Sequence, residues 1–141
     1  MVGLMVWWLL VMARVYDVPM QQEDLATIIV YRGSSYGGEP FDLWVADQPI
    51  LLSMKNNTSV EFYVPAGELA LSTKRSVFLQ RENKYLIPVE AGHTYYLKAE
   101  LEYVFPVTKL RLAVSNSKHY LKIAPKLNKI VVDESDTLRN K

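Results

Sequence analysis

The sequence predicts an all-β domain, an antiparallel β-sandwich of about seven or eight short strands of the immunoglobulin or transthyretin type. One turn sequence occurs twice, first as V-P-A-G-E at residues 64–68 and again as V-E-A-G-H at residues 89–93. Apolar and polar residues alternate beside both turns, and turn-forming residues recur roughly every 8–12 positions. Because no segment of helical periodicity separates the predicted strands, a βαβ architecture is not expected.

The glycines of the repeated turn, Gly67 and Gly92, mark places where the chain reverses sharply. Glycine adopts positive φ without a steric penalty, so we expect both residues in that conformation. The alternation beside them places one set of side chains in the core and the other set in water. The inward sets are predicted to be Val60, Phe62 and Val64 before the first turn and Tyr95, Leu97, Ala99 and Leu101 after the second.

The other strands follow from β-branched and aromatic runs that are bounded by turn residues. These runs are expected to give about eight short strands. In chain order they lie at residues 27–32, 41–46, 50–54, 59–64, 69–73, 76–79, 85–89, 94–103 and 109–115. Two of these runs have a clear inward face, formed by Phe41, Leu43 and Val45 in one and by Leu110, Leu112 and Val114 in the other.

The first residues of the chain predict export. Residues 2–13 are uncharged and almost wholly apolar, and residues 11–13, V-M-A, resemble a signal-peptidase site. The run is short for a membrane span, which takes about 20 residues. We expect an N-terminal apolar helix that acts as a secretory signal or a membrane anchor, with a helix packed on the domain or a misassigned start as the alternatives. The predicted location is the cell envelope or periplasm, with membrane association through residues 2–13.

Composition divides the chain into three parts. Residues 1–24 form the apolar segment and a polar connector, residues 25–116 form the sandwich domain, and residues 117–141 form a charged C-terminal tail. Pro125 is expected to kink or break any helix in this tail. Lysines recur at helical spacing there and are expected to form a solvated face: Lys118, Lys122, Lys126 and Lys129.

Charge and cysteine content exclude several classes of function. The chain has 16 basic and 15 acidic residues, so no overall positive field favours nucleic acid. It contains no cysteine, which excludes disulfides, thiolate catalysis, zinc–thiolate sites and lipid attachment to cysteine. Half of its residues are apolar, which is enough for a packed core. No cofactor is predicted.

The structural motifs occur in a characteristic order. An isoleucine-rich strand ends in Tyr31-Arg32, a short strand reads L-W-V-A-D at residues 43–47, and the second repeated turn continues into T-Y-Y-L at residues 94–97. Over about residues 25–115 this order resembles the bacterial domain of unknown function 2846. The resemblance implies a small β-sandwich on an exported protein or lipoprotein of the bacterial envelope, without catalytic residues. The chain departs from the family pattern at Gly33, where proline is common, and it lacks the cysteine of a lipoprotein signal.

One loop matches a hydrolase motif. Residues 33–37 have the pattern G-x-S-x-G, which in hydrolases holds a nucleophilic serine on a strand-to-helix elbow. No helix is predicted after this loop, and no spacing ties Ser35 to either histidine, His93 or His119. A small serine hydrolase is therefore the alternative function, and its loop would be Gly33, Ser34, Ser35, Tyr36 and Gly37.

The two histidines and one pair of glutamates are expected to have structural and not catalytic roles. His93 and His119 have no partner at metal-ligand spacing, so no metal site is predicted. Glu100 and Glu102 share one face of a strand. We expect them to keep that face soluble, since paired acid and base catalysis would need a pocket.

The sequence favours a non-catalytic binding or structural domain of the cell envelope, and not an enzyme. Loops on a rigid sandwich commonly carry binding sites. We expect an unknown protein or envelope component as the partner, and no nucleic acid. The candidate binding loop consists of Ser34, Ser35, Tyr36, Gly37, Gly38 and Glu39.

Overall fold

The computed structural model describes residues 24–35, 39–75, 82–104 and 107–132, in which the strands form two sheets. In chain order the strands are β1 (Leu25–Arg32), β2 (Phe41–Val45), β3 (Gln48–Met54), β4 (Thr58–Pro65), β5 (Gly67–Lys74), β6 (Glu82–Val89), β7 (Thr94–Val104), β8 (Val107–Val114) and β9 (Asn128–Val131). The first sheet has the order β8-β7-β1-β4-β9, and the second has the order β3-β2-β5-β6. The predicted all-β fold with the arrangement of a sandwich is confirmed.

The first sheet is mixed, which corrects the prediction of a purely antiparallel sandwich. β1 pairs antiparallel with β4 but parallel with β7, and β4 pairs parallel with β9. The pairs of the second sheet are antiparallel. Parallel neighbours must be joined through other elements, and here the chain passes through the second sheet between β1 and β7. Turn residues indicate which successive strands form hairpins. They do not indicate that β1 pairs with β7, which is distant in sequence.

The strand order also separates the two sandwich types that the sequence suggested. In the constant-type immunoglobulin order, the first strand lies beside the second. Here β1 lies between β4 and β7, while β2 belongs to the other sheet. The immunoglobulin order is therefore not the order of this domain.

The core lies between the two sheets and follows the predicted alternation. Val60 and Phe62 of β4 are buried, and Leu97 and Ala99 of β7 are each 3% exposed. From the second sheet, Leu43 packs into the same cluster. The inward faces predicted for β2, β4 and β7 are thus confirmed at these positions.

Val114 is a wrong prediction, because it was expected to face the core and is 87% exposed. It is the last residue of β8, which is an edge strand of the first sheet. Together with Ile87 it lines a cavity of about 330 Å³ at this side of the sandwich. The alternation of β8 therefore continues past the point where the second sheet covers it.

Both copies of the repeated turn carry the chain from one sheet to the other. The first joins β4 to β5, and the second joins β6 to β7. Gly67 has φ 138° and Gly92 has φ 79°, as the sequence predicted. The amide of Gly92 also donates to the carbonyl of Leu25 at 3.0 Å, which ties the second corner to the start of β1.

The described part of the predicted tail packs on the first sheet and adds a strand to it. Helix α1 (Ser117–Ile123) is capped by Asn116, whose side-chain oxygen accepts from the amide of His119 at 2.8 Å. A 3₁₀ turn (Ala124–Lys126) follows and contains Pro125, so the predicted helix break is confirmed. β9 then joins the edge of the first sheet beside β4. Helical lysine spacing alone did not reveal the apolar residues that this segment packs inward.

α1 covers one end of the outer face of the first sheet. Tyr31 of β1 is fully buried there, and it packs against Tyr120 with ring centroids 5.3 Å apart. Ala124 and Leu127 are also buried in this second cluster. The first sheet therefore has apolar contacts on both of its faces.

Two predictions fall on parts of the chain that the structure does not describe. The N-terminal apolar helix and its signal or anchor role concern residues 1–23, and one predicted strand concerns residues 76–79. Both lie outside the described residues. None of the helices in the described ranges is long and apolar enough to cross a membrane.

Candidate binding site

The predicted binding loop joins β1 to β2 and so connects the two sheets at one end of the sandwich. Ser34, Ser35 and Glu39 belong to the described residues, whereas Tyr36, Gly37 and Gly38 lie outside them. The neighbouring turn in space is the one between β3 and β4. The site is therefore formed where two crossings between the sheets meet.

Hydrogen bonds fasten the start of the loop to that neighbouring turn. Ser34 Oγ donates to Asn57 Oδ1 at 3.1 Å, and Ser35 Oγ donates to Asn56 Oδ1 at 3.0 Å. Asn56 Nδ2 donates back to the carbonyl oxygen of Ser35 at 2.9 Å. Asn57 has φ 57°, a left-handed conformation that asparagine tolerates better than most residues. The Asn-Asn pair thus forms the turn and also holds the loop.

Arg32 lies directly before this loop and is buried between the sheets. It is the last residue of β1 and is 1% exposed. Its Nη1 donates to the carbonyl oxygen of Met54 at 2.6 Å, and its guanidinium lies 5.9 Å from the ring centroid of Phe41. Its Nε and Nη2 atoms are buried without a hydrogen-bond partner among the described residues. A buried guanidinium is thus anchored through one nitrogen and unsatisfied at two.

Glu39 and Arg75 complete a charged cluster at this end. Arg75 Nη1 lies 3.3 Å from Glu39 Oε2, and both side chains are about one third exposed. Burial lowers the pKa of the Arg32 guanidinium, and the charge of Glu39 acts in the opposite direction. With two guanidinium groups and one carboxylate, these three residues carry an excess positive charge.

Ser35 is not placed as a hydrolase nucleophile would be. Its hydroxyl donates to Asn56, and the element that follows the loop is strand β2 and not the helix that the motif requires. His93 lies near the start of β1, because its carbonyl oxygen accepts from Thr27. Since β1 is eight residues long, His93 and Ser35 are separated by roughly 20 Å of strand.

His119 belongs to a network that the sequence did not reveal. The hydroxyl of Tyr31 bonds to His119 Nδ1 at 2.8 Å and also to the hydroxyl of Ser115. The three residues come from β1, the end of β8 and α1. Their separations in sequence are 84 and 88 residues, so no local spacing could have indicated the network. The arrangement fastens α1 to the sheet through a buried hydroxyl.

The candidate carboxylate pair is not brought together as an acid and a base. Glu100 lies between Lys98 at 3.1 Å and Arg111 at 3.2 Å. The hydrogen bond from Lys98 lowers the pKa of Glu100, and Arg111 contributes in the same direction. A general acid needs a raised pKa. Glu100 is therefore held in its ionised form.

A groove on the outer face of the second sheet has balanced charge. Its volume is about 580 Å³, and its lining includes Lys74, Glu82, Tyr85 and Leu86. Lys74 lies 3.6 Å from Glu82 and also faces the ring of Trp44 at 4.2 Å. Because its charges already pair with one another, this groove is a weaker candidate than the loop end.

Within the described ranges, no group of three or more histidine or acidic side chains could hold a metal ion. Comparison of the chain with family models, with curated proteins and with solved structures found no match in any of the three.

Proposed function

We propose that this protein is a non-catalytic β-sandwich domain of the bacterial cell envelope, which binds a protein or envelope component through the loop of residues 34–39. The observation that carries the proposal is the anchoring of the start of this loop. Ser34 and Ser35 both donate to the asparagine side chains of the facing turn. Groups that are held on a rigid scaffold lose little conformational freedom on binding, which favours Ser34 and Ser35 as part of a binding surface.

The fold and family proposals rest on strand order and motifs. Of the two sandwich types suggested by the sequence, we propose the transthyretin type, because the position of β1 between β4 and β7 differs from the immunoglobulin order. The resemblance to the bacterial domain of unknown function 2846 remains part of the proposal. It is supported by the Tyr31-Arg32 pair and the two glycine corners, which occupy definite structural positions in this chain.

The envelope location is proposed from the apolar residues 2–13. In a bacterial host, fractionation of cells expressing the full chain should place the protein outside the cytoplasm. Recovery from the cytoplasm with Met1 retained would contradict export. The result does not depend on the binding loop, so it tests location alone.

Binding through the loop is tested by capture from envelope extract with matched variants. Ser34 is exposed on the loop, so Ser34→Arg adds bulk and one positive charge without filling the core. Thr94 is also exposed and pairs with Thr27 near the start of β1, which makes Thr94→Arg the control at the opposite end. We expect wild type and Thr94→Arg to capture the same component and Ser34→Arg to lose it. Equal capture by all three would contradict the loop as the binding site.

The hydrolase alternative has its own test. A fluorophosphonate probe should leave the protein unlabelled, since Ser35 donates to Asn56 and no described histidine contacts it. Labelling of the wild type that disappears in Ser35→Ala would overturn the non-catalytic proposal.

A further inference from the structure

Within the described ranges, no residue pairs with one edge of the Arg32 guanidinium group. Nη1 is engaged by Met54, whereas Nε and Nη2 have no partner among the described residues. Nε–H and the adjacent Nη–H point in parallel from the same edge of the guanidinium plane. This fork matches the two oxygens of a carboxylate or a phosphate.

The described contacts of Arg32 do not offset the full free-energy cost of burying its guanidinium group. Buried polar atoms are nearly always hydrogen-bonded, and a buried charge without hydrogen bonds is costly. The face of Phe41 and the charge of Glu39 offset part of that cost, but neither supplies an acceptor to the two free donors. A missing acceptor at this edge would account for the arrangement.

The charge and position of the cluster indicate where that acceptor comes from. Arg32, Arg75 and Glu39 together have an excess positive charge. The Glu39 and Arg75 side chains are each about one third exposed, although Glu39 Oε2 is itself buried without a hydrogen-bond partner among the described residues. The cluster lies at the end of β1 from which the binding loop departs. An anionic group that enters beside Glu39 and Arg75 would balance the charge of the cluster.

We propose that the Nε/Nη2 edge of Arg32 binds an anionic group with two acceptor oxygens, a carboxylate or a phosphate, carried by the ligand of the loop. The inference rests on the proposed binding function and specifies the chemistry of its ligand. Arg75 attracts the anion electrostatically, and Arg32 recognises it through two parallel hydrogen bonds. The Met54 carbonyl keeps the guanidinium plane in position.

The experiment follows the Nε–H signal of Arg32 by NMR in the full-length protein. Sodium acetate, inorganic phosphate and sodium chloride are titrated at matched ionic strength. We expect the signal to shift and saturate with acetate or with phosphate, and the anion that saturates it identifies the ligand group. A response that is the same for all three salts, or that does not saturate, would overturn the inference.

Variants extend the test to stability. A ligand that binds only the folded state stabilises it by RT ln(1 + [L]/Kd), so the melting temperature rises with ligand concentration. Arg32→Lys keeps the charge but loses the fork, so we expect its apparent affinity for the saturating anion to fall roughly tenfold or more. Arg111→Lys, an exposed arginine on β8, is the matched control and should behave as wild type. If Arg32→Lys fails to fold, the wild-type NMR titration decides alone.

The two proposals can fail separately. Saturable anion binding with no loss of capture in Ser34→Arg would refute the loop as the partner site while supporting the Arg32 site. Loss of capture in Ser34→Arg without any saturable shift at Arg32 would support the loop and refute the anion inference.

Discussion

Tyr31 and Arg32 are neighbours in β1 and serve two different polar networks. Successive side chains of a strand point to opposite faces. Tyr31 therefore meets Ser115 and His119 under α1, while Arg32 is inserted between the sheets and bonds to Met54. A single strand end thus connects the helix-covered face to the candidate binding site.

The same alternation predicts opposite effects of two adjacent substitutions in β7. Leu97 is 3% exposed in the core, so Leu97→Ala removes buried methylene groups and should cost about 2–5 kcal/mol of the free energy of unfolding. Lys98 contacts Glu100 on the outer face, and Lys98→Ala should cost less than about 1 kcal/mol. Urea denaturation of both variants measures the difference. A larger loss in Lys98→Ala would mean that the two faces of β7 are exchanged.

Glu100 is expected to contribute stability that disappears in acid. The hydrogen bond from Lys98, with Arg111, lowers its pKa in the folded protein below the ordinary value of 4.5. The contribution is therefore fully present above that ordinary value and is lost as pH falls through the folded-state pKa. Because the carboxylate is 40% exposed, it should amount to less than about 1 kcal/mol.

Glu100→Gln tests this pH dependence. Its free energy of unfolding should be lower than that of wild type near neutral pH, and the difference should shrink as the pH falls through the folded-state pKa of Glu100. A difference that persists or grows in acid would contradict the ion-pair explanation.

At the scale of elements, the two glycine corners determine how strands pass between the sheets. A Cβ atom at Gly67 would meet no atom within 4 Å, so the requirement for glycine there comes from its backbone φ of 138° alone. At Gly67 the repeated sequence therefore encodes a backbone conformation and not a tight contact.

Alanine at either corner should strain the backbone. We expect Gly67→Ala and Gly92→Ala each to cost about 1–3 kcal/mol, measured by thermal denaturation. Gly33→Ala is the control, because a Cβ there makes only an ordinary contact with Ile123 at 4.0 Å and its φ is not in the left-handed region. Unchanged melting of both corner variants would show that the positive φ angles are not required.

At the scale of the whole molecule, the segment after Asn116 completes the first sheet. α1 buries Tyr31 and Tyr120 against the outer face, and β9 pairs with β4. The sandwich of residues 25–116 would therefore lack the cover of one face.

Truncation after Asn116 tests whether the sandwich is independent of that cover. Burial of one large apolar side chain is worth about 1.5–3 kcal/mol, so we expect the truncated protein to lose about 3 kcal/mol or more and to bind a hydrophobic dye. Removal of residues 133–141 alone is the control and should change the free energy of unfolding little. Equal stability of the protein truncated after Asn116 and of wild type would show that residues 25–116 fold as a complete domain.

The sequence indicated part of the candidate site. The loop of residues 34–39 was predicted as the candidate binding loop. That the Asn56–Asn57 turn holds the start of this loop through Ser34 and Ser35 was not predictable, because the partners are 21 and 23 residues apart. The burial of Arg32 was not predictable either, since a charged residue at a strand end is usually solvated.

Local sequence patterns predicted strands β1 to β8, most of their inward faces and the two glycine corners, because alternation and φ preference are properties of neighbouring residues. The parallel pairing of β1 with β7, the joining of α1 and β9 to the first sheet, and the exposure of Val114 became visible only in the folded protein. These features depend on which distant segments bury one another's surfaces. Which segments pack together depends on the free energy of the whole chain, and a local sequence pattern does not determine it.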